Sequence, residues 1–367
     1  MRVLMLSKAC IVGIYQRKLE EMAAIDSELE LTLAVPPYWK SKSGTTTLHE
    51  VYTQGYALAV LPVAFNGKFH IHFYPKLGHL IKKIQPHIVH IDEEPYNFAT
   101  FHANLLARRF GAKTLWFSWQ NLDRQYPPPF SWMEQYNLHH IDHAIAGSQS
   151  AAHIWRRKGY QGPLSVIAQF GVDPEIFSPS PNTTHADTVR IAYAGRFVQE
   201  KGIDLLIHAL SELKGRWSAT FLGSGPAERQ LRALVDTLDL RQKVKFKSQI
   251  PSIEMPDFYR QTDILVLPSR TLPNWAEQFG RVLIEAMACE TCVVGSDSGE
   301  IPYVLGDAGL VFAEGDAAQL RLQLQHLIDH PDQRAELGKK SRERVLKSFT
   351  QKQVAQATLE IYRELIR

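Results

Sequence analysis

Short apolar runs alternate with stretches of helical periodicity along most of the chain. The runs are rich in Val, Ile, Leu and aromatic residues, and most of them end at a serine, a glycine or a charged residue. Strands that alternate with helices predict parallel sheets covered by helices on both faces. The predicted strands are RVLMLS, PHIVHID, AKTLWFS and DHAIAGS in the first half, and RIAYAG, SATFLGS, VKFKS, DILVLPS, CVVGS and AGLVF in the second.

A polar stretch separates the two series of strands. It reads SPSPNTTHADT, spans residues 178–188 and is typical of a linker. The predicted fold class is therefore α/β, with two Rossmann-like, doubly wound parallel-sheet domains that face a cleft. We expect these domains at residues 1–175 and 176–348, followed by a C-terminal helix over 349–367 that returns to the first domain.

Composition agrees with a folded, two-domain protein. The chain has 367 residues, of which 45% are hydrophobic and 22% charged, and this mixture is ordinary for globular domains. The net charge of +3 arises within the first 180 residues and is too weak to indicate a nucleic-acid partner. The three cysteines are too few for a disulfide framework.

The apolar segments indicate the expected cellular location of the protein. None approaches the eighteen or so residues that cross a bilayer, and the N-terminal segment resembles a first strand rather than a signal peptide. We therefore expect a cytoplasmic protein. Lys76, Lys82 and Lys83 lie among apolar residues in FYPKLGHLIKKIQPH, a pattern that a Rossmann helix or a membrane-surface helix can show. Peripheral contact with the inner face of a membrane is a further expectation.

Glycine-containing loops follow three predicted strands of the second half. Ligands on doubly wound sheets bind at the carboxyl ends of strands, where helix N-termini favour anions. Gly195, Gly223 and Gly280 allow close backbone approach there. Arg196 and Lys201 add two cations that could hold a diphosphate. Gly280 and Arg281 are predicted to open the next helix and to offer backbone N–H groups to the same phosphates.

Two glutamates flank that helix start, in the stretch EQFGRVLIEAMACE. Eight residues in a helix span about 12 Å, the length of a nucleotide sugar. Glu277 is predicted to bind sugar hydroxyls and Glu285, which lies in an apolar setting, to bind the ribose diol. A glycosidase pair would lie about 5 to 9.5 Å apart across one bond.

The motifs GRFVQEKGID, FLGSGP, VLPSR, EQFGRVLIEAMACE and GSDSGEIPYVLGDAGLVF resemble the donor half of family 4, the retaining GT-B glycosyltransferases. The resemblance covers residues 190–347 and implies transfer of a sugar from a UDP- or GDP-linked donor. It implies that Arg196, Lys201 and the backbone of Phe279 and Gly280 bind the diphosphate, with Glu277, Arg196 and Lys201 carrying catalysis. Donor-binding positions implied by it are Gly195, Gly223, Gln249, Ile250, Phe279, Gly280, Arg281 and Glu285.

Neither a metal nor another cofactor is expected. The resemblance implies that the departing phosphate oxygen takes the acceptor proton, and the chain contains no DxD motif of the kind that holds a divalent cation on a diphosphate. The only co-substrate expected is the nucleotide diphosphate sugar. CETC, residues 289–292, follows the helix that begins near Gly280, so we interpret it as a helix-to-strand turn rather than a redox pair.

The first half differs from the family pattern, and it is expected to bind the acceptor. Relatives often have a glycine pair after the first strand, where this chain has only Gly13, and a later histidine, where it has Gln120 followed by Asn121. Glu94, in IDEEPYN, is the remaining acceptor candidate, although the same loop could be a solvated acidic surface. The acceptor itself is left open between a carbohydrate, a lipid-linked molecule and a small molecule.

Other activities stay open on the sequence alone. A GT-B fold also suits a nucleotide-sugar epimerase, a phosphorylase or a non-catalytic nucleotide-sugar-binding module. A dinucleotide dehydrogenase is disfavoured because no GxGxxG opens a helix.

Overall fold

A computed structural model describes residues 1–41, 44–180 and 187–367. The chain forms two compact units, one of Met1–Gly171 with Gln351–Arg367 and the other of Val172–Thr350. These limits lie within a few residues of the predicted domain ends. Residues 181–186 of the predicted linker lie outside the described part of the chain.

The first unit is built on a parallel sheet. Its strand order is β5-β2-β1-β6-β7-β8-β9, and β3 and β4 form a separate antiparallel pair. The strands are β1 (Arg2–Ser7), β2 (Glu30–Val35), β3 (Tyr38–Ser41), β4 (Gly44–Thr47), β5 (Ala57–Val60), β6 (Ile88–Asp92), β7 (Lys113–Ser118), β8 (His143–Ala146) and β9 (Leu164–Val166).

Helices of the first unit cover this sheet. They are α1 (Arg17–Ile25), α2 (Leu77–Ile84), α3 (Phe98–Arg109), α4 (Phe130–His139) and α5 (Gln149–Arg157), and the chain ends in α13 (Gln351–Ile366). Leu359 and Tyr362 of α13 are fully buried in the same core cluster as Val3 and Met5 of β1. The C-terminal helix therefore belongs to the hydrophobic core of the first unit.

The second unit has a parallel sheet of order β12-β11-β10-β13-β14-β15. Its strands are β10 (Val189–Ala194), β11 (Trp217–Leu222), β12 (Val244–Lys247), β13 (Ile264–Leu267), β14 (Cys292–Ser296) and β15 (Leu310–Phe312). Its helices are α6 (Ile203–Ser211), α7 (Glu228–Thr237), α8 (Met255–Arg260), α9 (Arg281–Ala288), α10 (Ile301–Leu305), α11 (Ala317–Asp329) and α12 (Pro331–Ser348).

The strand order reverses once in each sheet. In the first unit the chain builds outward from β1 through β2 and β5, then returns to place β6 on the other side of β1. In the second unit β13 lies beside β10 in the same way. The prediction of two doubly wound parallel sheets is confirmed. Such reversals leave a crevice at the carboxyl ends of the two central strands, where ligands bind.

All ten predicted strands are present, whereas β2, β5, β9 and the antiparallel pair β3 and β4 were not predicted. The CETC turn joins α9 to β14 as interpreted, and burial raises the pKa of the Cys289 and Cys292 thiols to about 12. Thiols this hard to ionise are poor redox nucleophiles.

Helix α2 gives no support to membrane contact. Its apolar residues Leu77 and Ile81 are fully buried in the first unit's core, and Leu80 and Ile84 pack against the same cluster. The apolar side is therefore used for folding, as in the Rossmann interpretation. In the described parts of the chain, no helix combines the length and the apolar character that a bilayer crossing requires.

Candidate functional site

The second unit's crevice begins with two glycines at the ends of neighbouring strands. Gly195 follows β10 and Gly223 follows β11, both at positive φ. A Cβ on Gly223 would lie 1.9 Å from the carbonyl oxygen of Gly195. Only glycine fits there, because the two loops approach each other closely. The absence of side chains also leaves room at the strand ends.

A cavity of about 210 Å³ opens beside these loops. It lies at the carboxyl ends of β10 and β11 and extends to the first turn of α9. The predicted donor-binding residues that line it are Gly195, Arg196, Gly223, Gln249, Ile250, Arg281 and Glu285. The structure thus brings residues from four separate stretches of sequence around one space.

Glu285 is held firmly at this cavity. It is 8% exposed, it accepts a hydrogen bond from the Tyr259 hydroxyl at 2.8 Å, and Arg281 Nε lies 3.0 Å from its other oxygen. Burial raises its pKa, and Arg281 and Tyr259 oppose that rise. Sequence reasoning missed Tyr259, because only the fold places α8 beside α9.

The second unit also contains an ion pair between two predicted catalytic residues, Lys201 and Glu277. Lys201 Nζ is 2.5 Å from Glu277 Oε2, Ser269 Oγ donates to the same oxygen at 2.8 Å, and Lys201 lies 4.9 Å from the centre of the Trp275 ring. Among described residues, the lining of the 210 Å³ cavity includes neither Lys201 nor Glu277. The predicted site therefore has two parts, a cavity and a buried ion pair.

The backbone of Glu277 is fixed as tightly as its side chain. Its carbonyl oxygen accepts a hydrogen bond from the Glu300 N–H at 3.1 Å. A Cβ on Gly299, at φ +56°, would lie 2.0 Å from that oxygen. Gly299 is thus required for the approach of the β14–α10 loop to Glu277, a requirement that the sequence did not reveal.

Helix α9 begins where the sequence predicted, at Gly280 and Arg281. Gly280, at φ +79°, precedes its first residue, Arg281. The estimate of about 12 Å between Glu277 and Glu285 applied the helical rise to all eight residues, whereas the three residues after Glu277 precede the helix. Phe279 is 3% exposed and packs against Phe349, ring centres 5.8 Å apart, so its side chain serves the core.

Arg196 is the most exposed of the three predicted catalytic residues. Its side chain is 69% exposed and lies 3.8 Å from Glu200, while its backbone carbonyl accepts a hydrogen bond from the Tyr193 hydroxyl at 2.9 Å. A fixed backbone with a solvent-exposed guanidinium suits an anion that arrives from solvent.

The first unit has its own cavity, of about 300 Å³, at the carboxyl ends of β1 and β6. Glu93 lies there 3.3 Å from Lys8 and 3.4 Å from His72. Burial alone would raise the pKa of Glu93, but Lys8 and His72 outweigh it and lower the pKa to about 2. Glu93 is 4% exposed, so this part of the loop is no solvated acidic surface.

Glu94 also lines this cavity, in a different electrostatic setting. It accepts hydrogen bonds from Ser118 Oγ at 2.5 Å and from the Trp119 N–H at 2.9 Å. Burial raises its pKa to about 7 despite these two donors, and the charge of Glu93 adds to the rise. Neighbouring glutamates therefore have pKa values pushed in opposite directions.

The other predicted acceptor residues lie elsewhere. In the described chain, the lining of the 300 Å³ cavity includes none of Gly13, Gln120 and Asn121. A Cβ on Gly13 would lie 2.4 Å from Val51, so this glycine serves packing. Gln120 donates its amide to the Leu122 carbonyl at 3.0 Å, and Asn121 is partly buried.

The raised pKa of Glu94 predicts a pH-dependent stability. Between its ordinary value of 4.5 and its folded value of about 7, the folded protein holds more protons than the unfolded chain, so stability falls as the pH rises. Relative to Glu94→Gln, we expect the wild type to lose up to about 3 kcal/mol between pH 4.5 and pH 8. Thermal unfolding at both pH values measures this, with the exposed Glu30→Gln as control. A constant difference between wild type and Glu94→Gln would contradict it.

The described residues contain no group of three or more His, Cys, Asp or Glu side chains placed to hold a metal ion. The metal-independent reaction stays a prediction.

Comparison with known proteins finds a match to a family model within the second unit. Residues 178–344 match the family model of "Glycosyl transferases group 1". This group 1 match covers nearly all of the second unit, including both parts of the predicted donor site.

Individual relatives agree with the group 1 match. The D-inositol 3-phosphate glycosyltransferase of Kineococcus radiotolerans is 30% identical over 231 residues, which are 55% of this chain and 52% of that protein. The GDP-mannose-dependent alpha-(1-6)-phosphatidylinositol monomannoside mannosyltransferase of Mycolicibacterium smegmatis is 30% identical over 194 residues, 48% of this chain and 51% of the relative. The chain thus spans about half the length of these relatives.

Solved structures extend the likeness to the whole chain. Sucrose-phosphate synthase from Thermosynechococcus elongatus has a TM-score of 0.74 at 20% identity and covers 100% of this chain and 99% of its own. HepE from Anabaena, solved with UDP and glucose, has a TM-score of 0.68 at 16% identity over 99% of this chain and 100% of its own. The predicted GT-B fold is confirmed.

Proposed function

We propose that the protein is a retaining glycosyltransferase of family 4 that transfers a sugar from a nucleotide diphosphate sugar to a hydroxyl acceptor. The observation that carries this proposal is the 210 Å³ cavity, where Gly195, Arg196, Gly223, Arg281 and Glu285 meet at the reversal of the second sheet. Doubly wound sheets bind nucleotides at this position. The group 1 match over the same unit supports the assignment.

The lining suits the base and the ribose of a nucleotide. Gln249 and Ile250 form part of the wall where a base would lie. Glu285 offers carboxylate oxygens, already oriented by Tyr259 and Arg281, to a ribose diol. One relative is named as GDP-mannose-dependent, and the HepE structure contains UDP, so guanine and uracil are the first bases to test.

Cations and backbone amides near the cavity suit the diphosphate. Arg196 is exposed toward an incoming anion, and Gly280 and Arg281 lie at the N-terminal end of α9, where the helix dipole favours negative charge. Lys201, held by Glu277 and Trp275, supplies a second cation. Such preorganised groups stabilise the charge that develops on a leaving phosphate.

In the proposed reaction, the bond between the anomeric carbon and the diphosphate oxygen breaks, and a bond from that carbon to the acceptor oxygen forms on the same face. The acceptor proton passes to the departing phosphate oxygen, so atoms and charge balance without a metal ion. Glu277 would bind sugar hydroxyls and keep Lys201 in position.

A nucleotide-binding measurement tests the proposal. UDP, GDP and ADP, each without added metal, are compared by thermal shift on the wild type, on Glu285→Ala and on Glu228→Ala, a partly exposed glutamate that serves as matched control. One nucleotide is expected to stabilise the wild type and Glu228→Ala. Loss of a hydrogen bond to a charged group should weaken binding to Glu285→Ala by about 10- to 100-fold. Equal shifts in all three proteins would contradict the donor-site assignment.

Product analysis then distinguishes a glycosyltransferase from an epimerase and from a phosphorylase. Transfer needs an acceptor, an epimerase converts the donor alone, and a phosphorylase requires free phosphate.

A further inference from the structure

We propose that the 300 Å³ cavity of the first unit selects an uncharged polyhydroxylated ring, a sugar or cyclitol, and rejects the same ring when it carries a phosphate. This inference rests on the proposed function, because it names the chemical class of the acceptor. Three features of the cavity lead to it: aromatic walls, a buried amide N–H donor that has no partner among the described residues, and cations that are already paired.

Aromatic side chains form much of the wall. Trp119 and Phe170 stack with ring centres 4.9 Å apart and planes 16° from parallel, and Tyr15 lies 5.5 Å from Phe170. All three line the cavity. Ring faces carry partial negative charge and attract the slightly positive C–H groups on the apolar face of a sugar ring. They offer nothing comparable to a phosphate.

Gln169 supplies an unused hydrogen-bond donor. It lines the cavity and is 8% exposed. Its Oε1 accepts a hydrogen bond from Lys18 Nζ, which fixes the orientation of the amide because Lys has no acceptor. Its Nε2 has no hydrogen-bond partner among the described residues. A buried donor left unpaired is costly, and a ligand hydroxyl would satisfy it.

The cations of the cavity are already paired. Lys8 lies 3.3 Å from Glu93, and Lys18 lies 3.9 Å from Asp92 and bonds to Gln169. His72, packed behind the lining, faces Glu93 at 3.4 Å. Ionised Glu94 would add a further negative charge to the wall. A phosphate would meet more carboxylates than cations here, and its desolvation would not be repaid.

Glu94 adds an acceptor for ligand hydroxyls. Its two oxygens each accept one hydrogen bond from the protein, and a carboxylate has lone pairs for about four. The amide of Gln169 and the oxygens of Glu94 therefore form a donor–acceptor pair, which matches the dual character of hydroxyl groups. The relative named for D-inositol 3-phosphate provides the contrasting ligand.

Saturation-transfer NMR on the full chain tests this selectivity without turnover. The probes are glucose, galactose, mannose and myo-inositol at millimolar concentration, each against its monophosphate. We expect at least one neutral ring to receive saturation, and its phosphate to receive several-fold less. The signal should be lost in Trp119→Ala and retained in Trp132→Ala, whose exposed ring lies on α4 outside the cavity lining.

A second variant covers the case in which Trp119→Ala does not fold. Gln169→Glu keeps the shape and the contact with Lys18 but removes the N–H donor, so it should also abolish the signal. Phosphorylated rings that bind as well as the neutral ones, no binding of any neutral ring, or a signal that survives Gln169→Glu would each overturn the proposal.

Two further NMR comparisons complete the test. Glu285→Ala, altered only in the second unit, should retain the sugar signal, so failure of nucleotide binding and failure of the acceptor assignment are distinguishable. The methyl and octyl glycosides of the ring that binds are then compared. Equal signals indicate a free sugar acceptor and a stronger octyl signal indicates a lipid-linked one, and both results support the proposal.

Discussion

Replacing Glu277 with Gln is expected to lower kcat for sugar transfer by about 10²- to 10³-fold while the protein stays folded. The substitution keeps the size of the side chain and one acceptor oxygen for Ser269, which now donates at 2.8 Å. It removes the negative charge that Lys201 contacts at 2.5 Å. Lys201 would then be free to leave the position from which, in the proposed function, it would contact the diphosphate.

The effect should appear mainly in kcat, because preorganised charge acts most strongly on the transition state. Initial rates with the nucleotide sugar identified by thermal shift provide the measurement. Glu228→Gln, which changes a partly exposed glutamate of α7, is the control and should keep the wild-type rate. Unchanged turnover in Glu277→Gln, with folding verified by circular dichroism, would remove Glu277 from the catalytic site.

Gly299→Ala is expected to have the second largest effect, on both activity and stability. Gly299 has φ +56°, and its new Cβ would lie 2.0 Å from the carbonyl oxygen of Glu277. Real Cβ atoms do not approach an oxygen so closely, so the loop after β14 or the backbone of Glu277 must shift. A displacement of Glu277 by about 1 Å is enough to reduce turnover by about 10²-fold.

Gly315→Ala is the matched control. Gly315 also lies in the second unit at positive φ, +85°, but its Cβ would meet no atom within 4 Å. Both variants incur the backbone strain of about 1 to 3 kcal/mol, and only Gly299→Ala adds the collision with Glu277. Comparison of thermal midpoints and kcat isolates that collision. Equal losses in the two variants would show that Gly299 does not position Glu277.

The periodic pattern predicted every strand of the second sheet, including its edges β12 and β15, and missed β2, β5 and β9 of the first sheet. Strands buried on both faces form continuous apolar runs, and β1, β6, β10 and β13 were all predicted. By contrast β5 at one edge and β9 at the other were missed, and each has three or four residues. Short edge strands depend on their neighbour in the sheet more than on their own sequence.

Candidate donor residues could be predicted because they follow strand ends in a parallel sheet. All carboxyl ends lie at one edge of such a sheet, so residues distant in sequence are expected to converge. The same reasoning placed Glu94 at a strand end of the first half. It could not separate Glu94 from Glu93, whose pKa values differ because of Lys8, His72 and burial.

By itself, the sequence determined the alternation of strands and helices, the two doubly wound sheets and the loops that carry polar groups, because these follow from local periodicity and from glycine's access to positive φ. Only the tertiary structure decided that Lys201 pairs with Glu277, that Gly299 supports it, and that Gln169 and Trp119 share a cavity with Glu94. These contacts join residues tens of positions apart, and their energies depend on distance and burial, which the order of residues does not contain.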